Sequence, residues 1–430
     1  MPDQVPVTLH DHAFDSLAAT LKAGAIQRIL LIADENTYPA GGWQVEETLS
    51  SAGLSVLSKI LERQPGSTVP SQVLPDEHSI IQVLNALDGR EAVLVAVGSG
   101  TITDIARFCA YQTRNPFYSV PTAASVDAYT SYTAAITIGQ VKKSILAKPA
   151  CGVFARLPLV CAAPARMAAA GFGDMLAKFT ALADWQLAHL LLDESYAEPV
   201  ADLAGQAARL TMLQAAAVRS ASPSGIAALL NGLFVSGHCM VAVQSSRPAA
   251  GAEHSLAHFW EMKHHLAHGP DALHGEKTGT ASVLVAQLYQ ALRQLSRREV
   301  TRQLDHFVLP DPQLELDRVQ AAYGPVGSLV ISTHSSLLGT LRSKIDLIKE
   351  RIVSQWDEVL AIAETVPTPA EMVSWLETAG APTRAADIFI NEEEVQLAIR
   401  NAMYIRDRLT ILELNHILNL SGELPCQPPL

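Results

Sequence analysis

The side chains best suited to chemistry crowd into one stretch of this 430-residue chain, Gly251 to Gly275 (GAEHSLAHFWEMKHHLAHGPDALHG), which holds six of the 14 histidines. His254 and His258 lie four apart, as do His264 and His268, so on a helix each pair shares a face. Pro270 then breaks the pattern, and His274-Gly275 offers a ring nitrogen from the end of a loop. Histidines on two separate elements facing one point make part of a divalent metal site that still lacks a carboxylate. The metalloprotease motif HExxH is absent, because serine rather than glutamate follows His254. His264, His265 and His268, which follow Lys263, read as imidazoles on a polar surface face.

The missing carboxylate has a candidate in GFGDMLAK, Gly171 to Lys178, which reads as the opening of a helix. Asp174 there is either a ligand or an ordinary N-terminal carboxylate paired with Lys178 one turn on. Three other loops carry polar groups. Gly98-Ser99-Gly100-Thr101-Ile102-Thr103-Asp104 lets backbone amides approach a pyrophosphate at a helix N-terminus, although its spacing is not GxGxxG. Pro121-Thr122-Ala123-Ala124-Ser125-Val126-Asp127 forms a second polar loop, and Asp34 closes a third, as a ribose ligand or a solvated turn residue.

The elements that would position these loops alternate. Residues 28–33 (RILLIA) and 92–97 (AVLVAV) read as buried strands, Phe117–Val120 as another, and 54–60 and 68–74 as weaker ones. Helical spacing covers 13–24, 43–52 and 77–88, and Thr103 would cap a helix running to about Thr113. Strands alternating with helices imply a mostly parallel sheet, whose ligands bind beyond the carboxyl ends where all three loops lie. From about Arg156 the chain turns Ala- and Leu-rich with helical spacing, notably near 280–298, 338–363, 369–379 and 391–418. Three prolines (Pro149, Pro158, Pro164) mark the change. We therefore expect an α/β domain over 1–160 and a helical domain over 161–430, with a loose proline-rich tail after Gly422.

Composition narrows the function classes. A formal charge of −12 argues against nucleic acid or an anionic membrane as the main partner. Apolar runs such as Ala92–Val97 are too short to span a bilayer. No secretory signal opens the chain, and five scattered cysteines without a CxxC pair fit a reduced, cytoplasmic protein.

Five segments taken together, GSGTITD, PTAASVDAYTS, GFGDMLAKFTALADW, RPAAGAEHSLAH and LHGEKTG, resemble the glycerol-1-phosphate dehydrogenases. These belong to the iron-containing alcohol dehydrogenase and dehydroquinate synthase-like superfamily. The resemblance runs from about Leu30 to Leu420, including IRDRLTIL near the end. It implies an α/β dinucleotide-binding domain, an all-α domain, and a cleft between them. It also implies one divalent ion (zinc, nickel or iron) on Asp174, His254 and His274, with His258 nearby and Asp127 at the substrate end. NAD(H) or NADP(H) would contact Gly98, Ser99, Gly100, Asp104, Thr122 and Ser125, with Asp34 near the adenosine ribose. Lys148 and Lys178 are the candidates for the substrate phosphate, and the family implies a homodimer or larger homo-oligomer. Two segments depart from the commoner pattern: LHGEKTG, with Lys277 where a glutamine is expected, and RDRLTIL, where a tyrosine is commoner. Rival readings are a polyol dehydrogenase on the same scaffold, a dehydroquinate synthase-like lyase, and a non-catalytic metal- or nucleotide-binding protein.

Overall fold

A computed structural model describes residues 4–422 apart from 27, 64–72, 140 and 268–271. The candidate strand 68–74, the Pro270 break, His268 and the proline-rich tail thus fall largely or wholly outside the described residues. The chain separates into two compact units: Met1–Met175 with Arg209–Ser245, and Leu176–Ala208 with Ser246–Leu430. The single cut expected near residue 160 is therefore replaced by a chain that leaves the first unit, returns and leaves again. Residues 209–245 belong with the α/β unit because Thr130 donates to the Phe234 carbonyl at 2.8 Å and Ser236 to Asp127 at 2.7 Å.

In the first unit, β1 (Val7–Leu9), β2 (Arg28–Asp34), β3 (Ser55–Leu61), β4 (Val93–Gly98), β5 (Phe117–Pro121) and β8 (Val153–Ala155) form one parallel sheet in the order β1-β8-β5-β4-β2-β3. β6 (Thr133–Ile138) and β7 (Val141–Leu146) form a separate antiparallel hairpin. The uninterrupted apolar runs of β2 and β4 are buried along almost their whole length, as a sheet covered on both faces requires. Helices α1 (Ala13–Ala23) and α2 (Trp43–Ser51) pack on one core, where Leu17, Leu21, Ile29, Leu31, Val93 and Val95 meet. β2 leads outward to β3, whereas β4 leads the other way to β5, so the strand order reverses between β2 and β4. In such sheets the crevice at the reversal is where ligands bind. The short strands β1 and β8 and the hairpin were not anticipated; three-residue strands carry too little periodicity to read.

Helix α3 (Glu77–Leu87) starts as its cap dictates, with the Asp76 carboxylate accepting from the Ser79 amide. Helix α4 (Gly100–Gln112) starts earlier than expected, with Ser99 at its cap position. Thr103 is buried inside that helix and its hydroxyl faces Ser119 at 3.4 Å, so it caps nothing. A short helix α5 (Leu157–Cys161) leads into α6 (Ala165–Leu176). After a one-residue break at Ala177 come α7 (Lys178–Leu192), α8 (Glu198–Met212), α9 (Ala215–Arg219) and α10 (Pro223–Val243). By length and composition α10 could cross a membrane, a span the sequence reading did not identify; its Leu229, Leu230, Leu233 and Phe234 are buried within the protein.

The second unit is helical. α11 (Ala252–Ala267) packs on α12 (His274–Gln294), and further helices include Gly327–Ser354, Pro369–Ala379, Glu392–Asn401 and Ile411–Leu418. The stretch expected as one helix over 391–418 is divided by a single-turn helix at Ala402–Ile405 and an irregular segment through Leu409. That interruption matters below, because it carries Arg406 and Arg408.

Candidate active site

In the first unit, three loops follow the carboxyl ends of three neighbouring strands. Gly98 ends β4 in register with Pro121 at the end of β5, and the Thr122 amide donates to the Gly98 carbonyl at 3.1 Å. No side chain caps α4, so its first amides stay available to an anion. A Cβ on Gly100 would lie 2.8 Å from Val126 Cγ2, and one on Gly171 would drive into the Ala124 carbonyl oxygen. Both glycine motifs therefore press on the same Pro121–Asp127 segment. Thr122 and Ser125 are buried in it, and Tyr129 donates to the Ala123 carbonyl at 2.5 Å.

Asp34 ends β2, and its Oδ1 accepts from the amides of Asn36 (2.9 Å) and Thr37 (2.7 Å). Such a turn fixes the carboxylate at the strand-order reversal. Asp104 departs from the expectation of a cofactor contact. Its Oδ1 holds the buried Arg107 at 2.8 Å and its Oδ2 accepts from the Ala135 amide at 3.2 Å. Arg107 in turn donates to the carbonyls of Thr133 (2.9 Å), Ala128 and Tyr129, clamping the turn that carries Asp127. Lys148 lies away from the loops: its Nζ donates to the Asn115 carbonyl, just before β5 begins, at the opposite edge of the sheet.

Asp174 sits near the carboxyl end of α6, not at a helix start. The capping reading is thereby removed, since a helix dipole disfavours a carboxylate at that end. Asp174 is buried and its Oδ2 accepts from the Asp127 amide at 3.0 Å. The Asp127 Oδ2 accepts from Ser236.

In the second unit, the i, i+4 spacing on α11 and the first position of α12 bring three imidazoles together. Ring centroids stand 5.3 Å apart for His254 and His274, 5.5 Å for His258 and His274, and 6.3 Å for His254 and His258. Each ring is oriented through Nδ1 by a carboxylate. Glu253 Oε1 accepts from His254 Nδ1 at 2.8 Å. Glu261 serves two rings, with Oε1 2.8 Å from His274 Nδ1 and Oε2 2.9 Å from His258 Nδ1. Burial, with the neighbouring His274, Lys178, Arg406 and His258, holds His254 well below the usual imidazole range, so it is neutral. The proton consequently stays on Nδ1 in its bond to Glu253, which makes Nε2 the ring's lone-pair donor, the usual way carboxylates prepare histidine ligands. The grouping of His258, Glu261 and His274 also has ligand-like spacing, but there Glu261 already binds both rings by hydrogen bonds.

The turn before α11 is held from several sides. Asp184 accepts from the Ala252 amide (2.7 Å), Tyr289 (2.7 Å) and the Ile411 amide (2.8 Å), and burial pushes it up to about 6. Burial and Asp184 push Glu253 up to about 7. Lys178 is buried, its Nζ on the Ala249 carbonyl at 3.2 Å. His264 is not the surface residue expected: it is buried, 3.8 Å from the Glu394 carboxylate.

Comparison with known proteins bears on what this arrangement serves. Residues 8–164 match the iron-containing alcohol dehydrogenase family. The chain is 32% identical over 408 residues to a glycerol-1-phosphate dehydrogenase [NAD(P)+] of Bacillus subtilis, covering 95% of this chain and 90% of that protein. It belongs to the glycerol-1-phosphate dehydrogenase family. A second member, from Halalkalibacterium halodurans, is 31% identical over 93% of this chain and 89% of its own. The fold matches a solved structure of a probable glycerol dehydrogenase from Sinorhizobium meliloti, with TM-score 0.61, 18% identity and 97% of each chain covered. This is the iron-containing alcohol dehydrogenase and dehydroquinate synthase-like fold, a parallel α/β domain followed by a mostly helical one.

The residues that sequence reasoning missed are Glu253, Glu261, Arg406 and Arg408. Glu261 had a usable signal, lying three residues beyond His258 on the same helical face.

Proposed function

We propose that the protein reduces dihydroxyacetone phosphate to sn-glycerol 1-phosphate with NAD(P)H, reversibly and with one divalent ion. The observation that carries this reading is full-length family membership joined to two histidines, His254 and His274, whose Nδ1 atoms are each held by a carboxylate so that Nε2 is the donor atom of the ring. Asp174, His254 and His274 would hold zinc, nickel or iron. Asp174 supports the assignment physically, because the dipole at the carboxyl end of α6 disfavours a carboxylate there and a cation would offset that cost. The ion, when bound, supplies Lewis-acid polarisation of the substrate carbonyl, and the dinucleotide supplies the hydride.

The chain's own residues do the rest. The open N-terminus of α4, with Gly98, Ser99 and Gly100, takes the pyrophosphate, and Thr122 and Ser125 line the adjoining loop. Asp34 takes the ribose. Asp127, oriented by Ser236, faces the substrate. His258 keeps a proton on Nδ1 in its bond to Glu261, so proton movement at the substrate runs through Asp127 or through that pair. The enzyme is read as a cytoplasmic homo-oligomer; its cysteines 109, 151, 161 and 239 are free thiols.

The test is NADH oxidation by the metal-reconstituted protein, with dihydroxyacetone phosphate and dihydroxyacetone compared. A phosphate preference, with a product inert to glycerol-3-phosphate dehydrogenase, is expected. Preference for the unphosphorylated ketone would move the protein to the polyol dehydrogenases.

A further inference from the structure

The reading above requires cations for a substrate phosphate, and the two lysines first considered do not supply them well. Lys148 lies at the wrong edge of the sheet, and Lys178 is buried against a backbone carbonyl. The irregular segment after Ile405 offers two other cations.

Arg406 Nη2 lies 2.8 Å from His258 Nε2. A guanidinium only donates, so His258 Nε2 accepts and the ring is neutral, its proton on Nδ1 toward Glu261. Arg408 donates to the Ala250 carbonyl and to Ser246 Oγ, both at 2.9 Å. Both arginines thus bond only neutral acceptors, and among the described residues neither has a carboxylate at ion-pair distance. The contrast with the fully buried arginines is direct: Arg107 holds Asp104, and Arg247 holds Glu194. Arg406 and Arg408 are half-buried. Glu253 favours the charged form of both and Glu261 that of Arg406, yet among the described residues no carboxylate pairs with either directly. A partly desolvated guanidinium without a direct ion pair is completed by an anionic ligand.

The two cations also act on each other. Burial lowers Arg406 to about 10 against the opposing pull of Glu253 and Glu261, and burial together with Arg406 and Arg247 holds Arg408 well below its ordinary value. Arg408 and Lys178 are anchored to consecutive carbonyls, Ala250 and Ala249, in the turn that opens α11, while Arg406 reaches that helix about two turns later at His258. Positive charge therefore collects around the N-terminal half of α11, beside the rings of His254 and His274. The phosphorus of a three-carbon ketose phosphate lies only a few bonds from its carbonyl carbon. A carbonyl held at the histidines brings its phosphate within reach of these guanidiniums.

We propose that Arg406 and Arg408 form the phosphate subsite and set the preference for a phosphorylated ketone. The proposal rests on the dehydrogenase reading. Two planar forks suit a tetrahedral dianion, and each fork can present two parallel donors to it.

The experiment uses the metal-loaded enzyme and the variants Arg406→Met, Arg406→Lys, Arg408→Met and Arg408→Lys. Two quantities are read: the ratio of kcat/KM for dihydroxyacetone phosphate to that for dihydroxyacetone, and the Kd of inorganic phosphate by calorimetry. Each methionine variant is expected to lower the ratio by roughly 10- to 100-fold, the size of a charge-assisted hydrogen bond, and to weaken phosphate comparably. The lysine variants should recover part of both, because they restore the charge without the fork. An unchanged ratio with unchanged phosphate affinity in all four variants overturns the proposal. Parallel losses on both ketones with phosphate still bound also overturn it, by showing that the arginines only support the fold. A wild type that prefers dihydroxyacetone sinks the dehydrogenase reading instead. The subsite then stands or falls on whether phosphate binds the wild type and is lost in the methionine variants.

Discussion

Replacing Glu261 by glutamine leaves one acceptor where two are needed. In the native arrangement the two carboxylate oxygens take Nδ1–H protons from His274 and His258 at 2.8 and 2.9 Å. A glutamine carbonyl can serve one ring, and its amide N–H groups must then face the other. Arg406 decides which. Because Arg406 donates to His258 Nε2, that ring cannot move its proton from Nδ1 to Nε2, and it keeps the carbonyl. The amide therefore confronts His274, which relieves the clash by moving its proton to Nε2, the atom assigned to the metal. The loss should be ~10- to 100-fold in metal affinity, or about 1.4–2.7 kcal/mol. It is measured on apo-protein by competition with a chromophoric chelator, alongside the melting temperature without metal to show that folding is intact. The same logic predicts rescue. In Glu261→Gln combined with Arg406→Met, His258 is free to switch tautomer and accept from the amide, returning the carbonyl to His274. Wild-type metal affinity in Glu261→Gln, or no recovery in the double variant, would refute the argument.

Other consequences follow from the same geometry. Asp174→Asn and His274→Ala should abolish turnover while NADH affinity, measured by fluorescence titration, stays at the wild-type value; near-normal activity in either would remove the metal assignment. Gly171→Ala forces a methyl into the Ala124 carbonyl and should cost about 1–3 kcal/mol or more in denaturant unfolding, an effect absent if α6 shifts freely. Glu413 is buried with one oxygen bonded to Thr410 and Oε1 without a partner, and burial raises it to about 8. A carboxyl group with a raised folded-state pKa contributes stability present below its unfolded value near 4.5 and lost as pH rises through about 8. Glu413→Gln, which mimics the protonated form, should therefore gain melting temperature relative to wild type between pH 5 and 9. A constant difference across that range would count against the assignment.

What the sequence revealed and what it hid divide along physical lines. Strands β2 and β4 were readable because a strand buried on both faces must be a nearly unbroken apolar run. The histidines stood out by number and by spacing, a local property. Asp174 was found as a residue but placed at the wrong helix end, because glycines at 171 and 173 suggested a beginning. The structure shows that Gly171 serves instead to let α6 approach Ala124. Arg406 and Arg408 were out of reach for a different reason. A lone arginine in a polar segment is ordinary on any surface, and only its partners reveal that it is half-buried and bonded to neutral acceptors. Those partners, His258, Ala250 and Ser246, are between 148 and 162 residues away in sequence. A cation whose partners come from so far along the chain leaves no local pattern, and no spacing rule can register it. Glu261 falls between the two cases: its neighbour His258 was in plain view at i−3, whereas its second partner His274 becomes a neighbour only when α12 packs on α11.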